Sequence, residues 1–313
     1  MKLLITGGAG SLGVSIVERL LPQGVEICVI DNYATGHRGA LPAGVTNLSL
    51  QEGSIADKDF VDSIFSSFQP THVIHSAAAY KDPTDWLSDA QTNVLGTIHV
   101  VKAAEEHGVK KLLNFQTALC YGRAVQTPIP VDAATMPFTS YGISKTAGEQ
   151  YVLNSSVPSL SFRLANVTGP RLSIGPIPTF YQRLKAGKGC FCSDTVRDFI
   201  DAEDFLKLTE LALKDSAPTG VFNVSTGTGH SIKEVFDAVV NHLGVKLQED
   251  VPIVPAGDDD VPVVVLDPSR TEDAFGWRAE IDFSEMMTRM LTWYDQHGVN
   301  ALYSHLAAPS PAS

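Results

Sequence analysis

The stretch Thr6–Gly13 (TGGAGSLG) constrains the fold of this chain more than any other part of its sequence. It follows the apolar run LLI and precedes a helical pattern, and Gly7, Gly10 and Gly13 recur at every third position. Glycines at this spacing let the backbone turn sharply from a buried strand into a helix whose first amide groups stay uncovered. Such a helix N-terminus can bind a pyrophosphate, although a turn without a ligand also fits the pattern.

Short apolar runs alternate with longer amphipathic stretches in the first half of the chain. The pattern predicts strands at Lys2–Thr6, Glu26–Asp31, Thr71–Ser76, Lys111–Phe115 and Leu160–Arg163. It predicts helices at Ser11–Leu21, Asp57–Phe68, Asp89–His107 and Ser140–Leu153. Strands joined by helices form a parallel sheet that is covered on both faces. The predicted fold class is therefore α/β, with a doubly wound parallel sheet of the Rossmann type.

The residue composition changes after residue 169, where segments such as GPRLSIGPIPTF are rich in proline and glycine. We therefore expect a Rossmann domain over residues 1–169 and a smaller C-terminal, substrate-binding domain over residues 170–300. Some elements at about 196–224 are expected to return to the first domain. The segment 301–313 ends in small residues and prolines, a composition typical of a disordered tail.

Composition excludes several classes of partner. Of the 313 residues, 35 are Asp or Glu and 23 are Lys or Arg, and the resulting net charge of −12 disfavours nucleic acid and anionic membrane surfaces. No signal-peptide core or membrane span is apparent, and the four cysteines fit reduced thiols, so we expect a cytoplasmic protein. The cysteines are too few and too unevenly spaced for a disulfide scaffold or a zinc site, and no histidine has metal-ligand spacing, so no metal is predicted: Cys28, Cys120, Cys190, Cys192, His72, His75 and His99.

The second predicted strand ends in Asp31, about 18 residues after Gly13. A carboxylate at this place can accept hydrogen bonds from both hydroxyls of an adenosine ribose and repels a 2′-phosphate. Arg38 lies further along the loop and not beside Asp31. This arrangement favours NAD over NADP, whereas a solvated strand end is the simpler alternative.

Tyr141 and Lys145 lie four residues apart on a predicted helix, so both side chains project from one face. An ammonium group near a phenol favours the phenolate and prepares it to act as a general base. Thr117 follows the strand at Lys111–Phe115, at the sheet edge where open α/β folds bind ligands. Its hydroxyl could share a hydrogen bond of the substrate with Tyr141.

Together these residues resemble a known family. The matching stretches are T-G-G-x-G-x-x-G at Thr6–Gly13, Asp31-Asn32, HSAA at His75–Ala78, Asn93 in TNVLGT, Thr117 with Tyr121-Gly122, Tyr141 with Lys145, FRLANVTGP at Phe162–Pro170 and VRDFIDAED at Val196–Asp204. On these matches, which extend from Lys2 to about Trp277, the chain resembles the extended short-chain dehydrogenase/reductases, specifically the nucleotide-sugar epimerases and dehydratases.

The resemblance implies a tightly held NAD, a nucleoside-diphosphate sugar as substrate and a hydride that is taken from the sugar and later returned. It implies a homodimeric UDP-sugar 4-epimerase of the bacterial surface-polysaccharide type, such as O-antigen or lipopolysaccharide synthesis. The implied catalytic residues are Thr117, Tyr141 and Lys145. The implied cofactor contacts are Gly7, Gly10, Ser11, Leu12, Gly13, Asp31, Asn32, Thr35, Ser54, Ile55, Ala77, Ala78, Asn93, Tyr141 and Lys145. The implied substrate contacts are Thr117, Asn166, Phe191 and Arg197, although buried asparagines such as Asn93 and Asn166 often only tie loops together.

The sequence departs from this family at three places. Ser54 stands where many relatives have an aspartate that meets the adenine amine. Pro255 stands where an arginine often binds the diphosphate, so Arg197, Arg171 or Lys188 would have to replace it: these cations are the available candidates. Ala118-Leu119 follow Thr117 where dehydratases carry Asp-Glu, which argues against an ordinary 4,6-dehydratase. Other nucleotide-sugar oxidoreductases, an atypical dehydratase and a non-catalytic NAD-binding regulator remain alternatives.

Overall fold

The computed structural model of the protein describes residues 1–80, 82–257 and 260–299. Its strands are β1 (Lys2–Thr6), β2 (Glu26–Asp31), β3 (Leu48–Glu52), β4 (His72–His75), β5 (Lys111–Thr117), β6 (Ser159–Leu164), β7 (Asn166–Thr168), β8 (Cys192–Ser193), β9 (Val196–Asp201), β10 (Gly220–Val224), β11 (Gly229–Ser231), β12 (Ile253–Val254) and β13 (Val263–Val264). Its helices are α1 (Ser11–Leu20), α2 (Lys58–Phe68), α3 (Trp86–Asp89), α4 (Thr97–Glu106), α5 (Ser140–Leu153), α6 (Pro176–Lys185), α7 (Ala202–Ala212), α8 (Ile232–Leu243), α9 (Ser269–Phe275) and α10 (Phe283–His297). The predicted disordered tail, 301–313, lies outside the described residues.

A parallel sheet forms the centre of the fold. Within the described residues it has seven strands in the order β3-β2-β1-β4-β5-β6-β10, and each neighbouring pair is parallel. The direction of winding reverses between β1 and β4, and open α/β sheets bind ligands beside the carboxyl ends of strands at such a point. The predicted α/β fold of the Rossmann type is confirmed.

Both faces of this sheet are apolar, which explains why the strands appear as continuous apolar runs in the sequence. Along β1, Leu3 and Ile5 point towards a cluster that includes Val17 of α1 and Phe205 of α7. Leu4 points to the opposite face. There it joins a cluster contributed by α2, α4 and α5. The two clusters fix the sheet between its helices.

A second, smaller group of elements covers the carboxyl ends of the strands. β9 pairs with β7, β11 and β13, and β8 pairs with β12. Helices α6, α8 and α10 surround an apolar cluster that includes Phe180, Phe236 and Met290. The segment 196–224, which we expected to return to the first domain, divides: β9 belongs to the smaller sheet, α7 packs against α1, and β10 is an edge strand of the main sheet.

One predicted helix differs from the structure at its start. The predicted helix Asp89–His107 is a longer helical segment that begins at Trp86, because the Asp85 side chain accepts a hydrogen bond from the Ser88 amide and caps it. Its middle, Ala90–Gly96, is a π-helix, a form that is frequent at functional sites. Every helix among the described residues is too short or too polar to cross a membrane.

Candidate active site

Two of the glycines after β1 lie at positions that exclude a side chain. Gly7 has a φ of +68°, and a Cβ there would lie 2.7 Å from the backbone of Ala77. A Cβ on Gly13 would lie 2.4 Å from the Cα of Gly8. A Cβ on Gly10 would come no nearer than 3.4 Å to its closest neighbour, and no side chain caps the first turn of α1. The turn therefore leaves the α1 amides open to an anion such as a pyrophosphate.

A cleft of about 560 Å³ lies along the carboxyl ends of the strands, between this turn and the smaller group of elements. It brings together residues from both halves of the chain. The predicted site residues that line it are Gly7, Gly10, Ser11, Leu12, Gly13, Asp31, Asn32, Thr35, Ser54, Ile55, Ala77, Ala78, Thr117, Tyr141, Lys145, Asn166, Phe191 and Arg197.

Asp31 is held in place at the end of β2. Its Oδ2 accepts a hydrogen bond from the Ala9 amide and its Oδ1 accepts one from the Tyr33 amide, both at 2.8 Å. Burial raises the pKa of Asp31, and the two amide hydrogen bonds oppose that rise. Each carboxylate oxygen has two acceptor positions, so both oxygens retain capacity for the hydroxyls of a ribose.

The arginine closest to Asp31 along the chain is occupied elsewhere. Arg38 donates two hydrogen bonds to the carboxylate of Glu52, one of them at 2.6 Å, and its guanidinium lies 4.4 Å from the centre of the Tyr33 ring. A 2′-phosphate beside Asp31 would therefore meet a carboxylate and an arginine that already has a carboxylate partner. The arrangement selects for a ribose with free hydroxyls.

Asn93 is the exception among the predicted cofactor contacts, because its side chain lies behind the wall of the cleft and not in it. It is buried, and its Oδ1 accepts a hydrogen bond from the Ala79 amide. Its Nδ2 donates to the Ala79 carbonyl at 2.9 Å and to the Ser144 hydroxyl at 3.0 Å. Asn93 thus ties two walls together, which is the alternative that the sequence left open.

Thr117, Tyr141 and Lys145 all line this cleft. Thr117 ends β5, and its Oγ1 accepts a hydrogen bond from the Leu119 amide at 3.2 Å. Because that oxygen already has a donor, its own hydrogen can be directed towards a substrate oxygen. The Tyr141 ring lies on the first turn of α5, and Tyr80 packs against it with 5.8 Å between ring centres.

Lys145 is buried, so its ammonium group is largely removed from solvent. Lys145 is 5% exposed, and burial lowers the pKa of its ammonium group to about 8, while the carboxylate of Glu149 limits the fall. Glu149 itself accepts hydrogen bonds from Arg163 and Ser161, so it is fixed one helical turn away. A buried ammonium group beside a tyrosine favours the phenolate form of that tyrosine. The geometry can therefore support general-base chemistry.

Arg197 of β9 and Asp260 also line the cleft. The Arg197 guanidinium donates to the Asp260 carboxylate and, at 2.8 Å, to the Val196 carbonyl. Burial lowers the pKa of Arg197, and Asp260 opposes this shift. An anionic substrate would therefore meet an arginine that is already paired with a carboxylate 63 residues away in sequence.

The three cations that could replace the family's diphosphate-binding arginine differ in whether they line the cleft. Arg171 donates two hydrogen bonds to Glu18 of α1 and does not line the cleft. Lys188 is exposed and does not line it either, so of these three only Arg197 does. Asn166 lines the cleft but donates its Nδ2 to the Asp198 carbonyl at 3.0 Å.

Several cleft residues were not indicated by any sequence pattern. Asp260 and Tyr80 line the cleft, and neither belongs to a motif that could have found it. Gln116 also lines the cleft, and its buried Nε2 has no hydrogen-bond partner in the described part of the chain. Its position directly before Thr117 was the one available signal. Within the described residues, no group of three or more His, Cys, Asp or Glu side chains could hold a metal ion.

Comparison with known proteins agrees with this geometry. A model of the NAD dependent epimerase/dehydratase family matches residues 3–225. The UDP-glucose 4-epimerase of Halalkalibacterium halodurans is 28% identical, over 95% of this chain and 96% of that protein. Among solved structures, the Bordetella bronchiseptica enzyme WbmG in complex with NAD and UDP is 63% identical, over 99% of both chains, with a TM-score of 0.94. The enzyme WbmH from the same organism, in complex with NAD⁺, is 41% identical over 95% and 99% of the chains, with a TM-score of 0.90.

The fold and the cleft define an NAD-binding enzyme with the architecture of the extended short-chain dehydrogenase/reductases. The chain belongs to the NAD dependent epimerase/dehydratase family, and NAD is its cofactor. The open glycine turn before α1 and the anchored Asp31 fit this cofactor.

Proposed function

We propose that this chain is an NAD-dependent UDP-sugar 4-epimerase. The observation that carries the proposal is that Thr117, Tyr141 and the buried Lys145 line one cleft with the glycine turn and Asp31. The relatives named above support the reaction and the nucleotide, since one is a UDP-glucose 4-epimerase and another was solved with NAD and UDP.

In the proposed reaction, Tyr141 removes the proton from the O4 hydroxyl of the sugar, and Thr117 donates a hydrogen bond to the same oxygen. When bound in this cleft, NAD would supply a reversible hydride acceptor for C4, and the keto sugar would turn over between the two transfers. Lys145 holds a positive charge beside the phenol and stabilises the phenolate. Tyr141 then returns its proton to O4 from the other side of the sugar.

The residues after Thr117 favour epimerisation over dehydration. Ala118 and Leu119 are hydrocarbon side chains and cannot act as an acid or a base at C5 or C6. Cys120 comes next, but it is fully buried, and burial raises the pKa of its thiol to about 12. It does not line the cleft. A reaction confined to C4 is the one that these side chains support.

Arg197 is proposed to bind the diphosphate. It is the candidate cation that lines the cleft, and a guanidinium can bind phosphate oxygens with two parallel hydrogen bonds. Its present partner, Asp260, would have to yield part of the guanidinium to the substrate. Asn166 and Phe191, which line the same region, are proposed to contact the nucleotide or the sugar.

A homodimer and a cytoplasmic location complete the proposal. Apolar side chains are exposed on α3, α5 and the π-helical segment, a surface that a second copy could cover: Trp86, Leu87, Leu95, Ile143 and Tyr151. Light scattering of the purified protein would test the dimer. The cysteines of the described residues form no disulfide, as is usual in a reducing compartment. The proposed product serves surface polysaccharide synthesis, as the sequence resemblance implies.

The decisive experiment uses UDP-hexoses carrying deuterium at C4. An epimerase returns its hydride, so we expect the C4-inverted sugar to retain the label and no free NADH to appear. Tyr141→Phe should lower the rate roughly 10²- to 10⁴-fold while UDP still binds, because only the proton acceptor is lost. Release of the label into free NADH would show a dehydrogenase, and full activity of Tyr141→Phe would refute the assignment of the base.

A further inference from the structure

A chain of buried hydrogen bonds passes behind the wall of the cleft through His75, which takes no part in the proposed reaction. His75 ends β4, is 1% exposed and lies opposite Thr6 in the pairing of β1 with β4. Its Nδ1 is 2.8 Å from the Thr6 hydroxyl, and its Nε2 is 2.9 Å from the Thr97 hydroxyl. Both threonines are buried.

The groups that are hydrogen-bonded to His75 decide which of its two ring nitrogens carries the hydrogen. Thr97 donates its hydroxyl hydrogen to the Asn93 carbonyl at 2.7 Å, and a carbonyl can only accept. The Thr97 oxygen therefore accepts from His75, so the hydrogen of the neutral ring is on Nε2. The bare Nδ1 then accepts from the Thr6 hydroxyl, whose oxygen accepts from the Ala77 amide at 3.2 Å. Every donor along the chain has one acceptor.

A second proton on His75 would break this order. It would set an Nδ1 hydrogen against the Thr6 hydroxyl, whose own hydrogen would lose its acceptor. Burial and then the charge of Lys145 lower the pKa of His75 to about 3. His75 thus stays neutral and acts as a fixed link, not as an acid or a base.

The chain of hydrogen bonds joins the loop at Ala77–Ala79 to α5, the helix that carries Tyr141 and Lys145. At one end, the Ala77 amide donates to Thr6, the residue before the glycine turn. At the other end, the carbonyl of Asn93 accepts from Thr97, while its side chain binds Ala79 and Ser144. Ser144 lies on α5 between Tyr141 and Lys145.

The π-helical segment and α5 contact each other directly where the chain of hydrogen bonds reaches Asn93. A Cβ on Gly148 would lie 2.4 Å from the Asn93 carbonyl oxygen and 3.1 Å from the Thr97 hydroxyl. Only glycine admits so close an approach. The carbonyl that ends the chain at Asn93 is therefore fixed against α5, one turn beyond Lys145.

We propose that His75 is a positioning residue that joins the cofactor-binding turn and the Ala77–Ala79 wall to the helix of Tyr141 and Lys145. It acts as the neutral tautomer with its hydrogen on Nε2, and it sets the distance between the bound cofactor and the catalytic tyrosine. The inference rests on the proposed function, because that distance matters only when hydride and proton leave the same sugar.

The first test compares His75→Leu with His72→Leu, a matched change of a buried histidine at the other end of β4. We expect His75→Leu to lower kcat per bound NAD roughly 10- to 100-fold with KM changed by less than about threefold, because a displacement near 1 Å has such an effect. His72→Leu should keep the wild-type kcat. His75→Gln, whose amide can donate to Thr97, should recover part of the loss. A wild-type kcat per bound NAD in His75→Leu would overturn the proposal.

A second pair of variants applies if His75→Leu fails to fold. Thr97→Val removes the hydroxyl that links His75 to Asn93, whereas Thr97→Ser retains it. We expect the valine variant to show the fall in kcat per bound NAD and the serine variant to keep most of the activity. Equal kcat values for the two variants would contradict the positioning role of the hydrogen-bond chain.

A third measurement does not depend on the reaction. In protein with ¹⁵N-labelled histidine, Nε2 of His75 should be protonated and Nδ1 bare from about pH 5.5 to 8.5, without titration. A hydrogen on Nδ1, or a titration in that range, would overturn the tautomer and with it the link. If His75 shows this neutral Nε2-protonated form but the protein turns over no UDP-sugar, the proposed function is wrong, while the structural link through His75 still holds.

Discussion

Lys145 provides the sharpest test of how the site is built, because its burial destabilises the folded chain. Its pKa is about 8 in the ligand-free protein, against an ordinary value of 10.5. A pKa difference of about 2.5 corresponds to roughly 3 kcal/mol of differential free energy between the charged and neutral forms. At pH 7 the side chain is charged in both folded and unfolded states, so this free energy opposes folding. Replacing Lys145 with Met keeps the hydrocarbon stem and removes the charge.

We therefore expect the NAD-free Lys145→Met variant to be more stable than the wild type at pH 7, by about 1–3 kcal/mol. The wild type should recover as pH rises from about 8 to 10.5, because the folded protein releases this proton before the unfolded chain does. The gap should close above that range. Epimerase activity should be lost at every pH.

Urea unfolding of both proteins, followed at pH 7 and pH 10, measures this difference. Lys102→Met is the matched control, since Lys102 lies exposed on α4, and its stability should change by less than about 0.5 kcal/mol. A Lys145→Met variant less stable than the wild type at pH 7 would show that the buried charge of Lys145 does not oppose folding. A stability difference that is the same at both pH values would show that this charge does not cause it.

Two further predictions concern Asp31 and Arg197, which both line the cleft. Asp31→Ala should weaken NAD binding by roughly 1–3 kcal/mol, since charge-assisted ribose hydrogen bonds are lost, and heat-released cofactor from the wild type should contain NAD with very little NADP. Predominant NADP would contradict the reading of Asp31 and of the Arg38–Glu52 pair. Arg197→Ala should raise KM for a UDP-sugar while NAD content stays unchanged, and an unaltered affinity for UDP would exclude Arg197 as the diphosphate ligand.

Local sequence predicted those parts of the site that depend on spacing within one element. Gly7 and Gly13 identify the turn because a side chain is excluded at both positions, and the four-residue spacing of Tyr141 and Lys145 places both on one face of α5. The strand bounds of β1 and β2 and the bounds of α5 also agree with the structure, since buried strands and capped helices have strong local signals.

Contacts between residues that are distant along the chain could not be predicted from local sequence. The pairing of Arg197 with Asp260, the place of Asn93 behind the wall and the neutral state of His75 are invisible in the sequence. Each depends on which side chain lies across a sheet or a cleft, and such neighbours are set by packing, not by spacing. Local spacing was enough to locate the glycine turn and the Tyr141–Lys145 pair, because each of these features lies within a few consecutive residues. Only the fold determined the charge and orientation of the groups around them, because desolvation and long-range hydrogen bonds exist only after the elements have packed.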